Sequence, residues 1–445
     1  MELNRRQILK YAGLGLALPA VSPLLAACSG GGSGGSGGSG DGTVKFEGWD
    51  YEAALVQQNL DNFTKTTNIK VDYTPITSAQ YVQKVVAEFT AGGGPDALYV
   101  YDDSLAAWVD GDYLQPLDGL PGVDEVYDAI YPGNAAAMTY QGKRYGLPYY
   151  TDSNCLLYNT EILEKAGIKK PPASLEELEA QAVKIKEAGL LEYPIGVPAQ
   201  LSDTWWAWVW ALIFGSGGNM FDEQQAPIMN TTDTVVKDVF AWLQQAATKS
   251  KVIDPACLQL LAIPVDNAMK ANRYAYTIGA RYASRDYNDA AKSKAAGKIR
   301  LALVPSLDGK EHGTVSNTRL YALAKDTEVK DNAFKLLTYL GGLDANKQPY
   351  TAKFWFLQRG LGFAYKSMAT DPEVTAALEK FADPKVYAHL GEIATPRNVL
   401  GVPWYTEFEI EMHKVVQGVL SNQVQPAAAV AGLAQTVETL KKKYN

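Results

Sequence analysis

The sequence predicts an α/β protein built as two lobes of similar size with a crevice between them, and three observations carry that prediction. Strand-like and helix-like segments alternate as β-α-β-α-β over residues 43–101, the order that makes a parallel sheet covered by helices. A second run of the same alternation starts after Tyr145-Gly-Leu-Pro-Tyr-Tyr. The chain has 445 residues, 47% hydrophobic and 20% charged, enough for two or three domains with an ample core.

Taken in order, residues 43–49 (TVKFEGW) read as a strand, 53–66 as a helix and 69–74 (IKVDYT) as a second strand by their alternation. A helix over 78–91 follows, with Ser78 expected as its cap and Tyr81, Val82, Val85, Val86 and Phe89 on one face. Gly92-Gly93-Gly94-Pro95 stops it, and 97–101 (ALYVY) makes the third strand. Ligands of such sheets sit beyond the carboxyl ends of strands, where Trp49-Asp50-Tyr51 and Asp102-Asp103 fall. The second run offers a strand over 155–158, a helix over 159–166 and an amphipathic helix over 174–188 capped by Ser174. Later strands are expected at 299–304 and 320–324.

The stretch TWWAWVWALIFGSGG, residues 204–218, holds four of the nine tryptophans in six positions. Its apolar part is about half of the ~20 residues a membrane helix needs. With Ser202 and Asp203 as N-caps it reads as a short helix beginning near Thr204, apolar all round and therefore mostly buried. Each of the four indoles reads first as core, and the question left open is whether a ligand cleft passes the start of the helix at Trp205 and Trp206.

Residues 1–28 read as an export leader. Arg5-Arg6 opens a twin-arginine n-region, an apolar stretch follows over 11–27, and Leu25-Ala26-Ala27-Cys28 has the small residues before cysteine of a bacterial lipobox. Cys28 is thus the expected lipidation site. The Gly/Ser tract 29–42 is a flexible tether with coil dimensions of roughly 20 Å. It also matches G-x-S-x-G at 31–35, but no strand precedes the match, so it is no nucleophile elbow.

Charge and composition exclude other classes. The chain carries a formal −8, and the basic leader makes the remainder more acidic still, so nucleic acid is a poor partner. The three histidines, His312, His389 and His413, and the cysteines Cys155 and Cys257 have no metal-ligand spacing. Neither metal nor cofactor is expected. The two cysteines can pair or stay as buried thiols.

Several short motifs, in this order, carry a resemblance: Gly94-Pro95-Asp96-Ala97 before a strand, Tyr145-Gly-Leu-Pro, Leu157-Tyr158-Asn159 with Lys165-Ala166-Gly167 and Pro171-Pro172, Gly217-Gly218, and Val402-Pro403-Trp404-Tyr405. The chain resembles the extracellular solute-binding proteins of ABC importers, in the carbohydrate-binding branch that includes the maltose-binding proteins. The resemblance implies a periplasmic-binding-protein type II-like fold, each lobe a sheet flanked by helices, with crossings near 148–155, 311–317 and 357–364. It divides the body into 43–150 and 315–360 for one lobe and 151–314 and 361–445 for the other. It implies a monomer outside the cytoplasmic membrane that captures solute without chemistry and hands it to permease subunits.

Carried over position by position, Trp49, Asp50 and Tyr51 match a loop facing the cleft, and Asp102 and Asp103 the loop after the third strand. Tyr150 and Asp152 match the first hinge segment, Trp205 and Trp206 the start of a helix offering groups to the ligand, and Trp404 with Tyr405 a place where an indole stacks on a sugar. Gly279-Ala280-Arg281 stands where the family commonly has Gly-Pro-Trp. Arg281 is therefore expected to bind hydroxyls, or a carboxylate or phosphate on the solute. Aromatic rings suit the apolar face of a pyranose, and carboxylate and guanidinium groups its rim of hydroxyls. A charged solute, a polysaccharide-docking protein, and a glycoside hydrolase using Asp102 and Asp152 are the alternatives.

Overall fold

The computed structural model describes residues 42–201 and 206–444. The leader, Cys28, the tether to Asp41 and Trp205 lie outside the described residues. Residues 41–445 form one compact unit.

The first strands follow the expected order. β1 (Val44–Trp49) pairs in parallel with β2 (Val71–Ile76) and with β3 (Ala97–Tyr101). The helices Ala53–Thr67 and Ser78–Thr90 connect them. Ser78 does not cap its helix as expected. It lies inside the first turn, and its amide and hydroxyl both donate to Asp50 Oδ1 at 3.1 Å. Asp50, from the end of β1, does the capping across space.

A short hairpin, β4 (Thr139–Tyr140) with β5 (Lys143–Arg144), precedes β6, a single strand running Gly146–Asn159. Sequence alternation picked out only 155–158 of it. The rest shows no alternation because both faces are covered: twelve of its fourteen residues are buried. β7 (Tyr276–Ala280) and β8 (Ile299–Ala302) pair with the second half of β6, and β9 (Thr314–Leu323) with the first half, all antiparallel. β10 (Ala394–Thr395) runs parallel to the start of β9. The sheet order is β2-β1-β3-β9-β6-β7. β6 thus leaves one half of the sheet and enters the other, and β9 accompanies it. A third segment runs beside them, where the Thr151 amide donates to Gly362 O at 3.1 Å.

Side-chain alternation along β6 splits the buried residues into two cores. Cys155 and Leu157 join a core that reaches from Val44 to Leu390, and Leu156 between them joins the other, with the tryptophan-rich helix and the C-terminal helices. Cys155 and Cys257 are both free and buried. The helix Leu175–Glu187 is capped by Ser174, whose Oγ accepts the Glu177 amide at 3.0 Å. The tryptophan helix spans Ala207–Gly215, starting later than expected, and all nine of its residues are buried. The helices Tyr405–Leu420 and Pro426–Tyr444 pack on each other and on Val235–Thr248. No helix among the described residues is long and apolar enough to cross a membrane.

Candidate functional site

The ends of β1 and β3 place a first group of side chains. Trp49 and Tyr101 are the last residues of their strands, and their rings stack with centroids 4.5 Å apart and planes 16° from parallel. Arg319 of β9 stands opposite Tyr101 in the antiparallel register, its guanidinium 4.7 Å over that ring. The next residue, Asp102, is buried. It accepts Arg319 Nη1 at 2.9 Å and the Thr318 amide at 2.7 Å. Burial raises its carboxyl above the usual range, against the pull of Arg319. Tyr150, paired with Arg319 across β6 and β9, completes the group.

The helix Tyr405–Leu420 and the segment before it place a second group. Arg397 Nη2 donates to Asn317 Oδ1 at 3.1 Å, its Nη1 lies 3.8 Å from Glu409 Oε1, and its guanidinium stands 5.6 Å over the Tyr405 ring. Glu409 also accepts Trp210 Nε1 at 2.7 Å and has His413 Nε2, one helical turn on, at 3.5 Å. Burial pushes the Glu409 carboxyl up, but His413, the Arg397 charge and the Trp210 N–H together outweigh it and hold the group at about 2. Trp206 lies on His413, ring to ring at 4.4 Å and 12°.

β9 joins the groups. Asn317 takes Arg397, while Thr318 and Arg319 hold Asp102. Asp103, exposed beside Asp102, is near enough that its charge acts on both Arg397 and Tyr405. Four donors here are buried without a hydrogen-bond partner among the described residues: Nε of Arg319 and of Arg397, Asn317 Nδ2 and Trp206 Nε1. Each such group costs about 1–3 kcal/mol until something accepts from it.

The other expected residues fall elsewhere. Among the described residues Tyr51 is the most open of the aromatics expected at the site, 38% exposed, with its hydroxyl pushed up to about 12 by burial and the neighbouring Glu52 charge. Glu52 has a left-handed backbone, φ 52°, and accepts Arg359 Nη2 at 2.9 Å. Asp152 and Arg281 form a separate buried pair, Nε to Oδ1 3.3 Å. Trp404 is buried against Phe221 and Phe408, centroids 5.6 and 6.2 Å away. Trp208 is core, its Nε1 donating to Pro198 O at 2.8 Å. Trp210 is buried too, but its N–H serves Glu409.

Asn317, Arg319, Arg397, Glu409 and His413 are not among the site residues named from the sequence above. One signal was available. Glu409 and His413 are four apart on a helix whose apolar face includes Phe408, Met412 and Val416, so polar groups fall at buried positions. Among the described residues no group of three or more His, Cys, Asp or Glu is placed to hold a metal.

The profile of the family described as bacterial extracellular solute-binding protein matches residues 48–347, well over half of the chain. A protein of Brucella abortus (strain 2308), assigned to the binding proteins, is 25% identical over 259 residues, 58% of this chain and 61% of its own length. The chain thus spans about three-fifths of the curated relatives it matches first. Among solved structures, the GacH receptor of Streptomyces glaucescens GLA.O, determined unliganded and with acarbose, superposes with a TM-score of 0.73 at 23% identity, covering 91% of this chain and 99% of that one. The sugar-binding protein MalE of Xanthomonas citri superposes with a TM-score of 0.76 at 20% identity, covering 90% and 98%. These likenesses establish the fold, a two-lobed periplasmic-binding-protein architecture of the maltose-binding type. By its profile match and its fold, the chain belongs to the bacterial extracellular solute-binding proteins.

Proposed function

We propose that this protein is the membrane-anchored sugar receptor of an ABC importer. It takes a di- or oligosaccharide between its lobes at the cluster of Trp49, Tyr101, Asp102, Asp103, Arg319, Arg397, Glu409 and Trp206, and presents it to the permease. β6, β9 and the segment at Gly362 are the hinge crossings in this reading, and a lipid on Cys28 holds the protein at the outer face of the membrane. The binder does no chemistry on its solute.

The observation that carries the reading is the set of four buried, unpartnered donors beside carboxylates and stacked rings. Hydroxyls accept from such donors and donate to the carboxylates, and a sugar's C–H face covers the rings. The ligands of the structural relatives, acarbose for GacH and sugar for MalE, support the same class. The glycoside-hydrolase alternative needs Asp102 and Asp152 as a working pair, yet Asp102 is spent on Arg319 and Thr318, and Asp152 stands against Arg281.

A thermal-shift screen of residues 42–445 against mono-, di- and oligosaccharides, polyols, amino acids and polyamines tests it. A ligand at 100 times its Kd adds about 2.7 kcal/mol to stability. The expected result is a raised midpoint with one group of saccharides, lost in Asp103→Ala, whose exposed side chain carries little of the fold. A shift with amino acids or polyamines alone would sink the sugar assignment.

A further inference from the structure

Resting on that reading, we infer that the site continues past Tyr150 to Tyr51, whose ring takes a second sugar of the solute, and that Arg359 positions this ring by gripping Glu52. Tyr51 stands two residues beyond the end of β1, with its hydroxyl close enough to Glu52, Tyr150 and Arg359 to be influenced by each. Tyr150 itself is paired with Arg319 across β6 and β9. At 38% exposed, Tyr51 offers an open ring, whereas Trp49, Trp206 and Trp404 are at most 4% exposed. The C–H side of a pyranose lies on an open aromatic face of this kind.

Glu52 holds the turn that carries Tyr51. Its φ of 52° and ψ of 41° are left-handed, a region unfavourable for a side chain of this kind. Capping does not account for that conformation, because the Glu52 side chain makes no capping hydrogen bond to the helix Ala53–Thr67. Its carboxylate goes to Arg359, with Oε1 2.6 Å from Nε and Oε2 2.9 Å from Nη2. A two-point fork fixes a carboxylate in direction as well as distance. Arg359 is held in its turn. It ends the helix Tyr350–Arg359, and the Gly360 amide after it donates to Phe356 O at 2.7 Å. Arg285 donates to the same carbonyl at 3.3 Å and packs over Gly360, where a Cβ would come within 2.7 Å of Arg285 Cδ. The side chains of Arg359 and Glu52 are 36% and 31% exposed, and an ion pair this open adds little to stability. What it fixes is the geometry of the turn, which makes Arg359 a positioning residue.

Calorimetric titration of the full mature protein with maltose, trehalose, sucrose, maltotriose and raffinose tests this, with melting midpoints taken on the same samples. Tyr51→Ala and Arg359→Gln should each weaken binding of the tightest of these sugars about tenfold, the first by removing the ring and the second because a loose ring must be ordered on binding. The double variant should bind no more weakly than Tyr51→Ala, since Arg359 acts through that ring. Glu52→Gly should match Arg359→Gln in affinity while keeping or raising the melting midpoint, because glycine takes the left-handed backbone without strain. Arg359→Lys keeps the charge without the fork and should recover only part of the loss. Wild-type affinity in Tyr51→Ala or in Arg359→Gln overturns the inference alone, as do losses that multiply in the double variant. If wild type binds none of the five sugars, the receptor reading falls and this inference falls with it.

Discussion

Arg281 and Asp152 form an ion pair closed off from solvent, Nε 3.3 Å from Oδ1, with the two side chains 0% and 4% exposed. The guanidinium also stacks 4.4 Å over the Tyr387 ring and donates from Nη1 to Tyr387 O at 2.7 Å. It fills space that two glycines leave open: a Cβ on Gly391 would come within 2.7 Å of Nη1, and one on Gly362 within 3.2 Å of Nη2. Arg281 therefore ties the end of β7 to β6 and to the helix Pro384–Glu392. It takes up no position at the cluster of Asp102 and Arg397.

Arg281→Met should therefore cost stability. Removing one partner strands a buried carboxylate, a loss of about 3–5 kcal/mol. Asp152 adds a pH signature. Burial lifts its carboxyl from 3.8 to about 6 in the folded state, with Arg281 pulling the other way. The folded protein then holds this proton more tightly than the unfolded chain, a contribution fully present below pH 3.8 and lost as pH rises through 6. Urea midpoints between pH 4 and 8 should flatten in Asp152→Asn over the lower part of that range. In Arg281→Met the decline should extend above pH 6.

Glu47 makes a second, independent titration. Burial, then the hydrogen bond and charge of Glu88, lift its carboxyl from 4.5 to about 7 against the pull of Lys84. By the same sign, its contribution is fully present below pH 4.5 and gone above 7. Glu88→Gln removes the like charge, and the melting midpoint should change less between pH 5 and 8 than in wild type. An unchanged pH profile would show that the Glu88 charge does not hold the proton on Glu47.

Gly362→Ala tests the third segment beside β6. The added Cβ would lie 2.0 Å from Thr151 O, a backbone atom that cannot move without shifting the strand. Overpacking of this kind costs about 1–3 kcal/mol or more. If these crossings form the hinge, affinity for the best saccharide should fall as well. Chemical denaturation and a binding titration on the same sample read the two effects separately.

The order of elements was determined by the sequence itself: β1, β2 and β3 with their helices, the Ser174 cap, and a buried tryptophan helix follow from local periodicity and turn residues, which act over a few positions. The limits of that local code show in β6 and at Ser78. β6 is covered on both faces, so alternation could not mark its length, and the cap at Ser78 comes from Asp50, 28 residues away. The site depended on tertiary structure more than any other feature. Trp49 and Asp102 were expected at strand ends and stand there, next to Tyr101 and Arg319, whereas Arg281 and Trp404 were drawn into packing that sequence spacing does not encode. Asp102, Arg319, Arg397 and Glu409 meet only because β9 brings Asn317, Thr318 and Arg319 into register between β3 and the C-terminal segment. Pairing over such separations is decided by which buried charges can find partners as the sheet closes, and no window of neighbouring residues carries that information.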